Sequence, residues 1–124
     1  MTLGAARAAF LAQRGIMSHD FEAQRAETFE TFVEMKGQVK LPKQAVVYYQ
    51  FYAEDLHPDW ASVEKALKAK GFKTERDEDE GILVASIGPI EVTPETIWHH
   101  ERIATEAVLP SDFFPDGWEM TTDD

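Results

Sequence analysis

Eight consecutive residues, Val46-Val47-Tyr48-Tyr49-Gln50-Phe51-Tyr52-Ala53, constrain the fold most. They are rich in β-branched and aromatic types and hold all three tyrosines of the chain, which is the composition of a strand. Alternation sends Val47, Tyr49, Phe51 and Ala53 to one face and Val46, Tyr48, Gln50 and Tyr52 to the other. Both sets are largely apolar. The strand therefore belongs at the centre of a sheet, with at least partial cover on each side.

The segments around it follow from periodicity and breakers. Residues 20–36 read as a helix, with Ser18 or Asp20 as N-cap, Phe29, Phe32 and Val33 on one stripe, and Gly37 at the C′ position. Residues 38–44, with Pro42, connect it to the strand. Residues 58–70 read as a second helix, with Val63, Ala66, Leu67 and Lys70 inward. Gly71 stands at C′, and Phe72 is placed to touch Leu67 in a Schellman stop. Residues 72–77 and 82–87 form a hairpin across the acidic turn Asp77-Glu78-Asp79-Glu80-Gly81. Gly88-Pro89 is expected to break or bend the second of these strands. Thr93-Pro94 caps a third helix over 94–108, with Ile97, Ala104 and Val108 inward and His100 or Glu101 at its edge. A last strand is expected from about Asp116 to Thr121, with Trp118 and Met120 on one face.

After the first helix the order is β-α-β-β-α-β. That split βαβ order predicts an α+β fold, a ferredoxin-like α/β plait with a four-stranded antiparallel sheet preceded by an N-terminal helix. The first and third strands should be central, and both crossover helices should share one sheet face. Tyr48 and Tyr52 then lie on the other face, and the 20–36 helix is the simplest cover for it within the chain. Residues 1–17 are Ala-rich, carry Arg7 and Arg14 without an acid, and read as a flexible tail or a start extended ahead of Met17. Residues 18–44 form the N-terminal helix and connector, and residues 45–124 the folded domain.

Charge narrows the function classes. The 124 residues carry a net charge of −11. Residues 1–45 contribute six Lys/Arg and five Asp/Glu, or +1; residues 46–124 contribute six and eighteen, or −12, and the sum returns −11. A body this acidic should repel nucleic acid and attract a basic protein surface. The chain has no cysteine, which fits a reducing, cytoplasmic setting and leaves no thiolate ligand or nucleophile. No apolar run is long enough to span a membrane.

Chemistry-bearing residues are sparse. His99-His100 with Glu95 and Glu101 lacks converging ligand spacing, so no metal or other cofactor is expected. The Asp77–Glu80 cluster lacks the spacing of a calcium loop and reads as a solvated turn that can dock against basic residues. Gly117 suits a bulge, with Trp118 either packed into the sheet or serving as a protein-binding anchor. No Gly-rich phosphate loop or nucleophile elbow is present, so the chain is expected not to be an enzyme. His57, His99 and His100 are the histidines to weigh for the alternative, a dimeric plait that binds or turns over a small molecule.

Four motifs carry a family resemblance. They are the aromatic strand before an acidic turn, Ala66-Leu67-Lys68-Ala69-Lys70-Gly71-Phe72, the Asp77–Gly81 turn before an apolar strand, and Phe113-Phe114-Pro115-Asp116-Gly117-Trp118-Glu119. Over residues 45–121 the chain resembles the regulator of ribonuclease activity B (RraB) family of ribonuclease E inhibitors. It departs from that pattern in its C-terminal tail, reduced here to Asp123-Asp124, and in its N-terminal helix. The resemblance implies a small acidic plait acting by binding protein, with a ribonuclease as partner; the charge of residues 46–124 argues against direct nucleic-acid contact. Candidate contact residues are Tyr48, Tyr52, Asp77, Glu78, Asp79, Glu80, Asp116, Gly117 and Trp118. A homodimer and an immunity-type inhibitor of another target stay open.

Overall fold

A computed structural model describes residues 19–121. The 1–17 tail, the Ser18 cap and residues 122–124 lie outside the described residues. The elements in order are α1 (Phe21–Gln38), β1 (Gln44–Ala53), α2 (Trp60–Ala69), β2 (Lys73–Asp77), β3 (Ile82–Glu91), α3 (Pro94–Val108), a 3₁₀ turn (Leu109–Ser111) and β4 (Phe113–Met120). The four strands form one antiparallel sheet in the order β2-β3-β1-β4. The apolar strands β1 and β3 are thus central and β2 and β4 are the edges.

The helix ends follow from local chemistry. Asp20 caps α1 by accepting from the Ala23 N–H at 2.9 Å. Asp59 caps α2 through Ser62 N–H at 3.1 Å, and Thr93 caps α3 through Thr96 N–H at 3.1 Å. At the end of α2, Phe72 N–H donates to the Leu67 carbonyl and Gly71 N–H to that of Lys68, the paired bonds of a Schellman stop. Gly71 has φ +94°, where a side chain would be strained. Phe72 is buried and its ring stands edge-on to Tyr49, with centroids 6.3 Å apart.

The core lies between the sheet and the helices. Val47, Tyr49 and Phe51 of β1 meet Val63 and Leu67 of α2, Ile97, Ala104 and Val108 of α3, and Leu83, Ala85, Phe113, Trp118 and Met120 of the other strands. The Tyr49 hydroxyl donates to the Ile97 carbonyl at 2.8 Å, so its one polar atom is satisfied inside the core.

Several expectations are corrected. Gly37 is an interior residue of α1 rather than its C′ position, and Val39 is the C-cap. Lys70 is exposed at the C-cap of α2 instead of facing inward. Of the two outcomes expected at Gly88-Pro89, a break or a bend, the bend is found: β3 continues to Glu91 with a register shift against β1. Gly88 permits this, because at φ +141° a Cβ there would lie 2.8 Å from the Ala45 carbonyl oxygen and the Val46 Cα. β4 begins at Phe113 rather than Asp116, because Phe113, Phe114 and Pro115 pair with Ala53, Tyr52 and Phe51. Glu101 is buried, not at the edge of α3.

The largest correction concerns α1. It does not cover the face bearing Tyr48 and Tyr52. Its buried residues meet α3, and its Thr28 hydroxyl accepts from the Trp118 indole N–H at 3.3 Å. Trp118 pairs with Tyr49, whose hydroxyl reaches α3, so this is the helical side of the sheet. The inward stripe is Gln24, Thr28, Thr31, Phe32 and Met35, while Val33 is 68% exposed. Polar partners on α3 select that polar stripe over the more apolar one.

Candidate protein-binding face and a buried carboxyl

Register and alternation define the sheet face opposite the helices. β1 supplies Tyr48, Gln50 and Tyr52; β3 supplies Ile82, Val84 and Ser86; β2 supplies Lys73, Glu75 and Asp77; β4 supplies Phe114 and Glu119. Tyr52 and Phe114 are cross-strand partners with ring centroids 5.8 Å apart and are only 4% and 7% exposed. Tyr48 is half-buried. Gln50 Nε2 donates to Glu119 Oε2 at 3.0 Å. Among the described residues of this face Glu75, Asp77 and Glu119 outnumber Lys73, a balance that favours a negative field.

The acidic turn joins this face at the β2–β3 end. Asp77 accepts from the Glu80 N–H at 3.2 Å, which shapes the turn. Glu78 pairs with Arg76 at 2.7 Å, and Arg76 also reaches Glu64 at 2.8 Å and lies over the Trp60 ring at 5.5 Å. Asp77, Glu78, Asp79 and Glu80 are all exposed. The hairpin is therefore anchored from the helical side by Arg76 and presents its remaining acids to solvent.

The other candidates separate from this group. Asp116 and Gly117 sit at a register shift of β4 against β1, with Gly117 at φ +100° and both residues half-buried. Trp118 is buried beneath α1 and belongs to the core, so it is no surface anchor in this conformation. His57 and His99 are exposed and His100 is half-buried on α3. Burial and the neighbouring His99 lower the His100 pKa. Among the described residues no group of three or more His, Asp or Glu side chains is placed to hold a metal ion. Nor, among them, is any helix long and apolar enough to cross a membrane.

The group missed by sequence reasoning is Glu101. It is 4% exposed and accepts from the Thr28 hydroxyl through Oε1 and from Gln24 Nε2 through Oε2 at 2.9 Å. Gln24 Nε2 also bonds Thr105 Oγ1 at 3.0 Å, and its Oε1 lies 2.7 Å from His19 Nε2. Burial pushes the Glu101 carboxyl up to about 7, against the pull of the Thr28 and Gln24 hydrogen bonds, and Glu27 adds to the rise. Burial, with Glu101 nearby, also holds the Tyr49 phenol well above its ordinary value. A signal was present in the sequence. Residues 97, 101, 104, 105 and 108 share the spacing of residues 24, 28, 31, 32 and 35, so Glu101 falls on the same stripe as Ile97, Ala104 and Val108.

No family model matches the chain. No curated protein matches it either.

Proposed function

We propose that this chain is an acidic, protein-binding regulator on a ferredoxin-like α/β plait, whose target is a basic protein, a ribonuclease of the ribonuclease E type. The βαββαβ order, the β2-β3-β1-β4 sheet and the helices on one side support the plait. The observation that carries the function is the acidic face. Glu75 and Asp77 on the sheet continue into the exposed Glu78, Asp79 and Glu80 at the Ile82 end of the face, while Tyr48 lies beside Glu119 at its other end. Such a surface steers a basic partner into contact, and the half-buried Tyr48 at the far end of the face adds an aromatic contact. The family resemblance over residues 45–121 supplies the choice of a ribonuclease. An immunity-type inhibitor of a different basic enzyme would use the same surface. The test is RNA cleavage by a purified ribonuclease E-type catalytic domain, with the chain titrated in. Inhibition by the wild type and its loss in Asp79→Lys/Glu80→Lys, which keeps the Asp77 and Glu78 contacts of the turn, are expected. Cleavage at an unchanged rate under excess wild-type chain would end the ribonuclease reading.

A further inference from the structure

The contact between α1 and α3 divides into two halves held by different forces. Towards its C-terminal end, α1 contributes Phe32 and Met35 to the apolar core. Towards its N-terminal end it contributes Gln24, Thr28 and Thr31, and the first two converge on the Glu101 carboxyl. Apolar burial is indifferent to pH, whereas hydrogen bonds to a carboxyl are not.

The two protonation states fit the contact differently. A neutral Glu101 can donate from Oε1 to Thr28 Oγ1, which still accepts from Trp118, while Gln24 still donates to Oε2. All contacts survive. An ionised Glu101 is a buried charge, and among the described residues no Lys, Arg or His forms an ion pair with it. A buried charge without a counter-ion is relieved most cheaply where the covering contacts are polar and local.

We propose that α1 is a pH-governed flap: ionisation of Glu101 releases residues 21–31 from α3 and β4 while Phe32 and Met35 stay docked. The groups around the carboxyl agree with this direction. On α1, Glu27 repels the ionised form, and His19, just ahead of the helix, is hydrogen-bonded to Gln24. Burial lowers the His19 pKa below 6.5, so that ring is neutral over the upper part of the window. From β1, the Tyr49 phenol stays neutral there. From β4 the neighbour is the uncharged Trp118. On α3 itself, Arg102 is engaged with Glu106 at 3.2 Å and lies over Phe21 at 5.2 Å. The proposal does not depend on the ribonuclease reading.

With a carboxyl that titrates at about 7 when covered and at 4.5 when solvated, the opening constant rises about thirtyfold between pH 5.5 and 8.5. Amide hydrogen exchange of the full chain by NMR reads this directly, after correction for intrinsic rates. Protection of amides 25–31 is expected to fall about thirtyfold over that range, with amides 36–38, whose acceptors are the carbonyls of residues 32–34, and β1 unchanged. Glu101→Gln, whose amide reproduces the donor and acceptor of the neutral acid, is expected to hold protection constant. In the wild type the Trp118 indole N–H resonance should move with a midpoint near pH 7, a reading that needs no substitution. Constant protection of amides 25–31 in the wild type would overturn the flap. So would an equal fall in Glu101→Gln, or a fall shared by β1.

Discussion

Glu101→Gln keeps the size and hydrogen-bonding shape of the side chain and removes its charge. In the folded chain the carboxyl titrates at about 7, against 4.5 when unfolded. The fold therefore binds the proton more tightly than the unfolded chain does, and stability falls as pH rises between those values. The penalty is absent below 4.5, grows through the window and is complete above 7, where it amounts to about 3 kcal/mol. Between pH 5.5 and 8.5 the change is about 2 kcal/mol, a sizeable share of the roughly 5–15 kcal/mol that holds a domain together. Urea unfolding of both proteins at the two pH values isolates this contribution, because the other titrating groups are common to both. The stability advantage of the glutamine form should widen by about 2 kcal/mol from pH 5.5 to 8.5, with an unchanged denaturant slope. An advantage that stays constant across pH would refute the assignment of Glu101 as a buried carboxyl without a counter-ion among the described residues.

Three glycines should respond differently to alanine. Gly71→Ala places a Cβ at φ +94° and should cost about 1 kcal/mol in urea unfolding. Gly37→Ala, in helical backbone with nothing within 4 Å of the new Cβ, should stabilise by about 0.5 kcal/mol. Gly88→Ala drives a Cβ to 2.8 Å from two backbone atoms of β1 and should cost more than about 2 kcal/mol, read as a drop in the unfolding midpoint. Asp59→Ala removes the cap of α2 and should lower the unfolding midpoint in the same assay.

The sheet was legible because its signals are local and redundant. Val46–Ala53 is apolar on both faces, the Schellman stop at Gly71-Phe72 fixes the end of α2, and Thr93-Pro94 fixes the start of α3. The placement of α1 was not legible. Its larger hydrophobes suggested a stripe through Phe29 and Val33, but the buried stripe is chosen by Glu101 and Thr105 on another helix, over seventy positions away. A polar residue on an inward stripe signals a partner without naming it. Trp118 illustrates the same limit. Its aromatic character marked it as buried or as an anchor, and only the arrival of Thr28 over its indole decides between them. The acidic turn was visible as a cluster, whereas the anchoring of Glu78 by Arg76, held in turn by Glu64 and Trp60, depends on how α2 lies against β2.

Calorimetric titration of the chain into a ribonuclease E-type catalytic domain at 50 and 300 mM salt tests the functional claim most directly. Electrostatic recognition through the acidic face predicts saturable binding at low salt, weakened by on the order of tenfold or more at high salt and by Asp79→Lys/Glu80→Lys. No heat of binding at 50 mM salt, or an affinity unmoved by both salt and charge reversal, would contradict it.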